Sequence, residues 1–126
     1  MSTVVVTGAA GYIGGQISIM LQEAGHRVVG IDRRYYPTHL AGVFERFIHN
    51  DFANDSAFNA IIQERPTAIV HCAATSLVGP SVRDPGEYYD NNVAKTIRMM
   101  NVLKDIPKKP IVVFSSSASV YGEPDT

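Results

Sequence analysis

Three glycines and one aspartate carry the first chemistry legible in this chain. Gly8, Gly11 and Gly14 stand at the first, fourth and seventh places of Gly8-Ala9-Ala10-Gly11-Tyr12-Ile13-Gly14, directly after the run Val4-Val5-Val6-Thr7. Such a loop turns sharply at its first glycine and lets backbone approach a pyrophosphate at its second. Its third glycine lets a helix pack tightly on a sheet. The helix that follows would aim its unpaired N–H groups and positive dipole end at the phosphates. Asp32 falls about 20 residues further on, where an acidic side chain can bind the hydroxyl pair of a ribose. The pattern predicts a dinucleotide site; the bland alternative is a strand–turn–helix with incidental glycines.

Other polar residues fall at predicted strand ends. Arg33 and Arg34 follow Asp32. An arginine there can pair with the 2′-phosphate of NADP or stack on adenine, or it can belong to a solvated loop. Asp32 repels a 2′-phosphate, so NAD is the expected cofactor. Asp51 stands just past a third strand, where its carboxylate can accept from an adenine amino group while Phe52 flanks the ring. An ordinary turn aspartate is the alternative. His71-Cys72 suggests metal or thiol chemistry, but no second ligand pair has a matching spacing and the four histidines are scattered. Buried structural roles are expected for both, and no metal site. Asn91-Asn92 falls inside a predicted helix, where asparagine is disfavoured. The pair reads either as a cofactor-side network or as a frayed, solvent-facing turn. Ser115-Ser116-Ser117 follows a fifth strand, with no Gly-x-Ser-x-Gly elbow around it.

The elements that position these residues alternate strand and helix. Apolar runs predict strands at Val4–Val6, Arg27–Ile31, Val43–His49, Thr67–His71 and Ile111–Phe114. Between them the 3.6-residue spacing predicts a helix buried through Ile13, Ile17, Met20, Leu21 and Ala24, stopped by Gly25. A second helix is capped by Asn54 or Asp55, buries Phe58, Ile61 and Ile62, and ends at Pro66. A third starts at Asp84-Pro85 and buries Tyr89, Val93, Ile97 and Met100. The nearly continuous apolar character of Thr67–His71 implies a parallel strand covered on both faces. The fold expected is therefore α/β, a doubly wound parallel sheet with five strands in the order 3-2-1-4-5.

Length and composition set the bounds. With 126 residues the chain has room for one domain, residues 1–126. A net charge of −1 gives no reason to expect nucleic acid or an anionic membrane as partner. No apolar stretch reaches the ~18 residues of a membrane span, and no leader pattern opens the chain. A single cysteine rules out an internal disulfide and suits a reducing, cytoplasmic setting.

Taken in order, Thr7-Gly8-x-x-Gly11-Tyr12-Ile13-Gly14, Asp32, Asp51-Phe52, His71-x-Ala73-Ala74, Tyr88-Tyr89-x-Asn91-Asn92-Val93 and Phe114-Ser115-Ser116-Ser117-Ala118-x-Val120-Tyr121-Gly122 resemble the N-terminal part of the extended short-chain dehydrogenase/reductases. The likeness is strongest to the nucleotide-sugar epimerases and dehydratases. It implies an NAD that takes a hydride from a sugar carbon and returns it. It further implies that Gly8, Gly11, Tyr12 and Ile13 hold the pyrophosphate, Asp32 the adenosine ribose, and Asp51 and Phe52 the adenine. Cys72, Ala73 and Ala74 would line the cofactor and Asn91 would support its nicotinamide side. Ser117 would be the catalytic serine on the reacting hydroxyl.

Two departures accompany the likeness. Ser76 takes a place where many such enzymes carry a cofactor-contacting lysine, and no Tyr-x-x-x-Lys pair occurs in the sequence. A sheet truncated before the family's later strands is thus expected, with no turnover by the chain alone. Self-association through an exposed fifth strand is expected as well. A non-catalytic module that senses NAD or pairs with another chain is the alternative function.

Overall fold

A computed structural model of the protein describes residues 2–72, 94–104 and 106–114. Strands β1 (Thr3–Thr7), β2 (Arg27–Asp32), β3 (Arg46–His49), β4 (Ala68–His71) and β5 (Ile111–Phe114) alternate with helices α1 (Tyr12–Glu23), α2 (Asp55–Glu64) and α3 (Lys95–Leu103). All pairings are parallel, and the strand order is β3-β2-β1-β4-β5. This is the doubly wound arrangement that the alternating apolar runs predict, with its reversal point between β1 and β4. At the carboxyl edge Thr7 is paired with Ile31 on one side and His71 on the other, and Asp32 is paired with His49.

Successive residues of a strand face opposite ways, and β1 feeds two cores. Val5, with Val29, Ile31 and Ile69, packs against Phe58 and Ile61 of α2 and Met99 and Leu103 of α3. Val4 and Val6, with Val28 and Ala9, meet Leu21 of α1 together with Phe44 and Phe47. Each such valine contributes about 1.5–3 kcal/mol on burial. Coverage on both faces is what makes these strands read as continuous apolar runs.

The stripes of α1 and α3 differ in part from the periodicity reading, although Leu21 of α1 does pack on the core. α1 faces the sheet through Gly14, Gly15 and Ser18, while Ile13 and Ala24 are exposed and Met20 is 66% exposed. The cause is close approach. A Cβ at Gly14 would stand 2.2 Å from the Gly8 carbonyl oxygen, so only small residues fit this face. The Ser18 hydroxyl donates to the Gly14 carbonyl at 2.7 Å within it. α3 buries Met99 and Leu103, whereas Ile97 and Met100 are exposed. Both pairs have helical spacing, and the pair that reaches the α2 side of the core is the one buried. Tyr89, Val93 and the Asp84-Pro85 start lie outside the described residues.

Local signals fix the helix ends. α1 closes with a left-handed Gly25 at φ 92°, His26 N–H donating to Leu21 O and Gly25 N–H to Gln22 O, the double bond of a Schellman turn. Asn54 caps α2 by accepting from Ser56 N–H at 2.9 Å, and α2 ends before Pro66 as expected. Ile62 is half-buried beside the fully packed Phe58 and Ile61. β3 begins at Arg46 rather than Val43, because Val43 N–H closes a turn onto Leu40 O and Gly42 adopts φ 88°.

Candidate functional site

The glycine loop leaves β1 at the reversal point of the sheet. Gly8 adopts φ 67°, a left-handed conformation that favours glycine. Its carbonyl accepts from Gly11 N–H at 3.1 Å, closing the turn. Gly11 is the N-cap of α1; it offers no side chain, and no acidic residue stands in the first turn. The first-turn N–H groups of Tyr12 and Ile13 therefore have no intrahelical acceptor and sit at the positive end of the helix dipole. The loop is held against the sheet by Ala9 N–H donating to Ile31 O at 3.3 Å.

Asp32 closes β2 beside this loop. It is only 8% exposed, and both carboxylate oxygens are engaged. Oδ2 accepts from Ala10 N–H at 2.9 Å, and Oδ1 accepts from Arg34 N–H at 2.8 Å with Arg34 Nε at 3.5 Å. The residue expected to bind ribose thus also ties the loop after β1 to the loop after β2. Arg34 reaches over the glycine loop: its Nη2 lies 3.1 Å from where a Gly11 Cβ would stand. Arg33 is exposed, and its carbonyl accepts from His49 Nε2 at 2.8 Å.

Asp51 lies just past the carboxyl end of β3, as the spacing predicts. Its Oδ1 accepts from Ala53 N–H at 3.0 Å and its Oδ2 from Lys95 Nζ at 2.8 Å. Burial pushes the Asp51 carboxyl up, but the bonds from Lys95 and Ala53 N–H and the charges of Lys95 and Arg33 outweigh it. The group is held below the usual carboxylate range. Phe52 differs from the expectation of a ring-flanking side chain. It is 5% exposed and packs edge-on against the His71 ring, with centroids 4.7 Å apart. An apolar ring next to the Ile69 and Phe58 core gains more from burial than from a half-wet cleft. The Phe52 ring is thus committed to the core.

His71 is structural, in keeping with its reading as a buried residue. Nδ1 meets Thr7 Oγ1 at 2.8 Å and Nε2 meets Thr96 Oγ1 at 3.0 Å. Burial pushes its pKa down to about 4, so the ring is neutral near neutral pH. Cys72, half-buried, donates its backbone N–H to Thr7 Oγ1 at 2.9 Å. The Thr7 hydroxyl, with one proton and two lone pairs, thus links the His71 ring to the Cys72 backbone.

The structure therefore brings Gly8, Gly11, Tyr12, Ile13, Asp32, Arg33, Asp51 and Cys72 to the carboxyl edge of one sheet. Ala73, Ala74, Ser76, Asn91 and Ser117 lie outside the described residues. Three residues that the sequence did not single out join the site from α3. These are Lys95 on Asp51, Thr96 on His71, and Arg98, whose Nη2 donates to Ala53 O at 2.9 Å. Lys95 and Arg98 also line a polar recess of about 380 Å³ with Asp51, Ala53, Asn54 and Asp55. Their spacing of three along a helix was the available signal, but it does not say which loop they grip.

Residues 4–126 match the sequence model of the NAD dependent epimerase/dehydratase family. The chain is 38% identical over 129 residues to a UDP-glucose 4-epimerase of Klebsiella pneumoniae, covering 95% of this chain and 92% of that one. It is 39% identical to the UDP-glucose 4-epimerase of Halalkalibacterium halodurans, covering 96% of this chain and 36% of the relative. Its fold is similar to that of UDP-glucose-4-epimerase from Stenotrophomonas maltophila with bound NAD and formylated UDP-arabinopyranose. The TM-score is 0.83 at 32% identity, over 100% of this chain and 40% of that one. The enzyme from Bifidobacterium longum in complex with NAD+ and UDP gives 0.83 and 32%, over 99% and 40%. The chain spans about two-fifths of the length of these solved structures.

Proposed function

The chain belongs to the NAD dependent epimerase/dehydratase family, and we propose that residues 1–126 are the NAD-binding Rossmann portion of a nucleotide-sugar epimerase or dehydratase. The observation that carries this is the junction of Asp32 with the glycine loop. A carboxylate fit for ribose hydroxyls lies 2.9 Å from the backbone of a loop whose helix opens toward an anion. The residues present fit the cofactor. Gly14 has no room for a Cβ against Gly8, and no acidic side chain in the first turn of α1 repels a pyrophosphate.

In this reading Gly8, Gly11, Tyr12 and Ile13 offer main chain to the pyrophosphate. Asp32 and Arg33 take the adenosine ribose, Asp51 and the Phe52 main chain the adenine, and Cys72, Ala73, Ala74, Ser76 and Asn91 the rest of the cofactor. Ser117 is the residue to hydrogen-bond the reacting hydroxyl. Bound NAD supplies the reversible acceptance of a hydride from a sugar carbon. The substrate of the whole protein is then a nucleotide sugar, in line with the UDP-sugar ligands named for the similar structures.

Among the described residues no helix is long and apolar enough to cross a membrane. With one cysteine and near-neutral charge, a cytoplasmic setting fits best. β5 is one of the two outer strands of the described sheet, with Ile111 67% exposed and Val113 and Phe114 about half exposed. Such an edge favours pairing with a second copy; a concentration-independent monomeric mass in light scattering would count against it.

The test of cofactor binding is thermal unfolding with NAD. At a hundred times its Kd, a ligand specific for the folded state adds about 2.7 kcal/mol of stability. The midpoint should then rise by several degrees. No shift at millimolar NAD contradicts the reading.

A further inference from the structure

We propose that Lys95 is a positioning residue that sets Asp51 to recognise the 6-amino group of the adenine ring, a role that rests on the cofactor reading above. The geometry is specific. Asp51 stands on the loop between β3 and α2, with one oxygen committed to Ala53 N–H and the other to Lys95 Nζ at 2.8 Å. The Lys95 side chain is 14% exposed and that of Asp51 28%. The cation is thus mostly covered, while the Asp51 side chain keeps a part open to solvent.

A carboxylate oxygen has two lone pairs, so an oxygen that takes one bond from Lys95 can still accept a second from an exocyclic amine. An amine donor satisfies that acceptor. A 6-oxo base, as in hypoxanthine, presents acceptor to acceptor and is rejected. The discrimination depends on the carboxylate staying ionised and held in one orientation. Lys95 serves both needs from α3, while Arg98, one turn on, fixes the same loop through Ala53 O at 2.9 Å. Among the described residues, the charged groups around Asp51 are Lys95 and Arg98 from α3, Arg33 from the loop after β2, and Asp55 at the start of α2. Without Lys95, Arg33 still acts on the carboxylate from the loop after β2.

The experiment is calorimetric titration of the wild type, Lys95→Met, Lys95→Gln and Lys95→Arg with NAD and with nicotinamide hypoxanthine dinucleotide. It is combined with NMR titration of the Asp51 carboxyl in the ligand-free proteins. The wild type should prefer NAD by about tenfold or more, the scale of one well-made hydrogen bond. Lys95→Met should lose most of that preference and Lys95→Arg should keep it. The Asp51 titration should move to higher pH in Lys95→Met and Lys95→Gln. Lys95→Gln keeps a donor without the charge, and it decides the matter if Lys95→Met does not fold. An unchanged preference in the uncharged variants overturns the proposal. So does a wild type that binds both dinucleotides equally, in which case NAD binding itself stands. A wild type that binds neither removes the cofactor reading and this proposal together.

Discussion

Thr7 Oγ1 and His71 Nδ1 lie 2.8 Å apart at the carboxyl ends of β1 and β4, joining the two strands at the point where the sheet reverses its order. The opposite ring nitrogen reaches Thr96 of α3. One neutral ring thus ties two strands and a helix beneath the site.

That ring predicts a pH dependence of stability. The folded pKa, about 4, lies below the ordinary value of 6.5. Between these values the unfolded chain takes up a proton that the folded one refuses, so stability falls as pH drops through this window. The whole effect is on the order of 3 kcal/mol, and above the ordinary histidine range it contributes no further change. Urea denaturation of the wild type at a series of pH values should show the slope. His71→Gln, with no ring to protonate, should flatten it. A wild type equally stable at both ends of this range would contradict the account.

The glycine loop predicts an asymmetry between neighbours. Gly14→Ala places a Cβ 2.2 Å from the Gly8 carbonyl oxygen, which belongs to backbone and cannot swing away. Gly15→Ala meets Leu40 Cδ1 at 3.2 Å, the far end of a flexible side chain. Overpacking costs about 1–3 kcal/mol; Gly14→Ala should reach the upper end and displace the loop. Gly15→Ala should stay within about 1 kcal/mol of the wild type, because alanine gains up to about that much over glycine in a helix. Comparable losses from the two variants would refute the close-packing argument.

Glu64 predicts a stability effect away from the site. Its carboxylate takes Arg27 Nη1 at 2.5 Å and Arg46 Nη1 at 2.7 Å, linking α2 to β2 and β3. Burial pushes the Glu64 carboxyl up, but the two arginines more than offset it and hold the group below its ordinary range. The carboxylate itself is nearly covered while both arginines are partly wet, so solvent screening limits the gain. Glu64→Gln should cost about 1 kcal/mol at neutral pH. Since protonation removes the same charge, the difference from the wild type should vanish in acid below the carboxylate range. A difference that persists there would show that shape, not charge, holds this corner.

What the sequence made legible and what it hid have the same physical origin. Val4–Val6, Gly8 and Asp32 were readable because each meets a local demand: a strand covered on both faces, a left-handed turn, a carboxylate at a strand's end. Asn54 was readable as a cap because its partner, Ser56 N–H, is two residues away. The phases of α1 and α3 were not. Periodicity locates an apolar stripe, yet α1 turns Gly14, Gly15 and Ser18 to the sheet because the approach there is too close for Ile13 or Met20. The inward turn of Phe52 and the grip of Lys95 on Asp51, 44 positions away, depend on tertiary placement that no local pattern encodes.

The most direct test of the central claim is calorimetric titration of the wild type and Asp32→Asn with NAD and with NADP. The wild type should bind NAD well above NADP, because a carboxylate placed beside the loop, as Asp32 is, can accept from ribose hydroxyls and repels a 2′-phosphate. Asp32→Asn should lower NAD affinity by about tenfold or more, the scale of a charge-assisted hydrogen bond. It should also narrow the gap to NADP, since Arg33 and Arg34 remain. Equal binding of both cofactors by the wild type, or an Asp32→Asn variant that keeps full affinity and preference, would contradict the account.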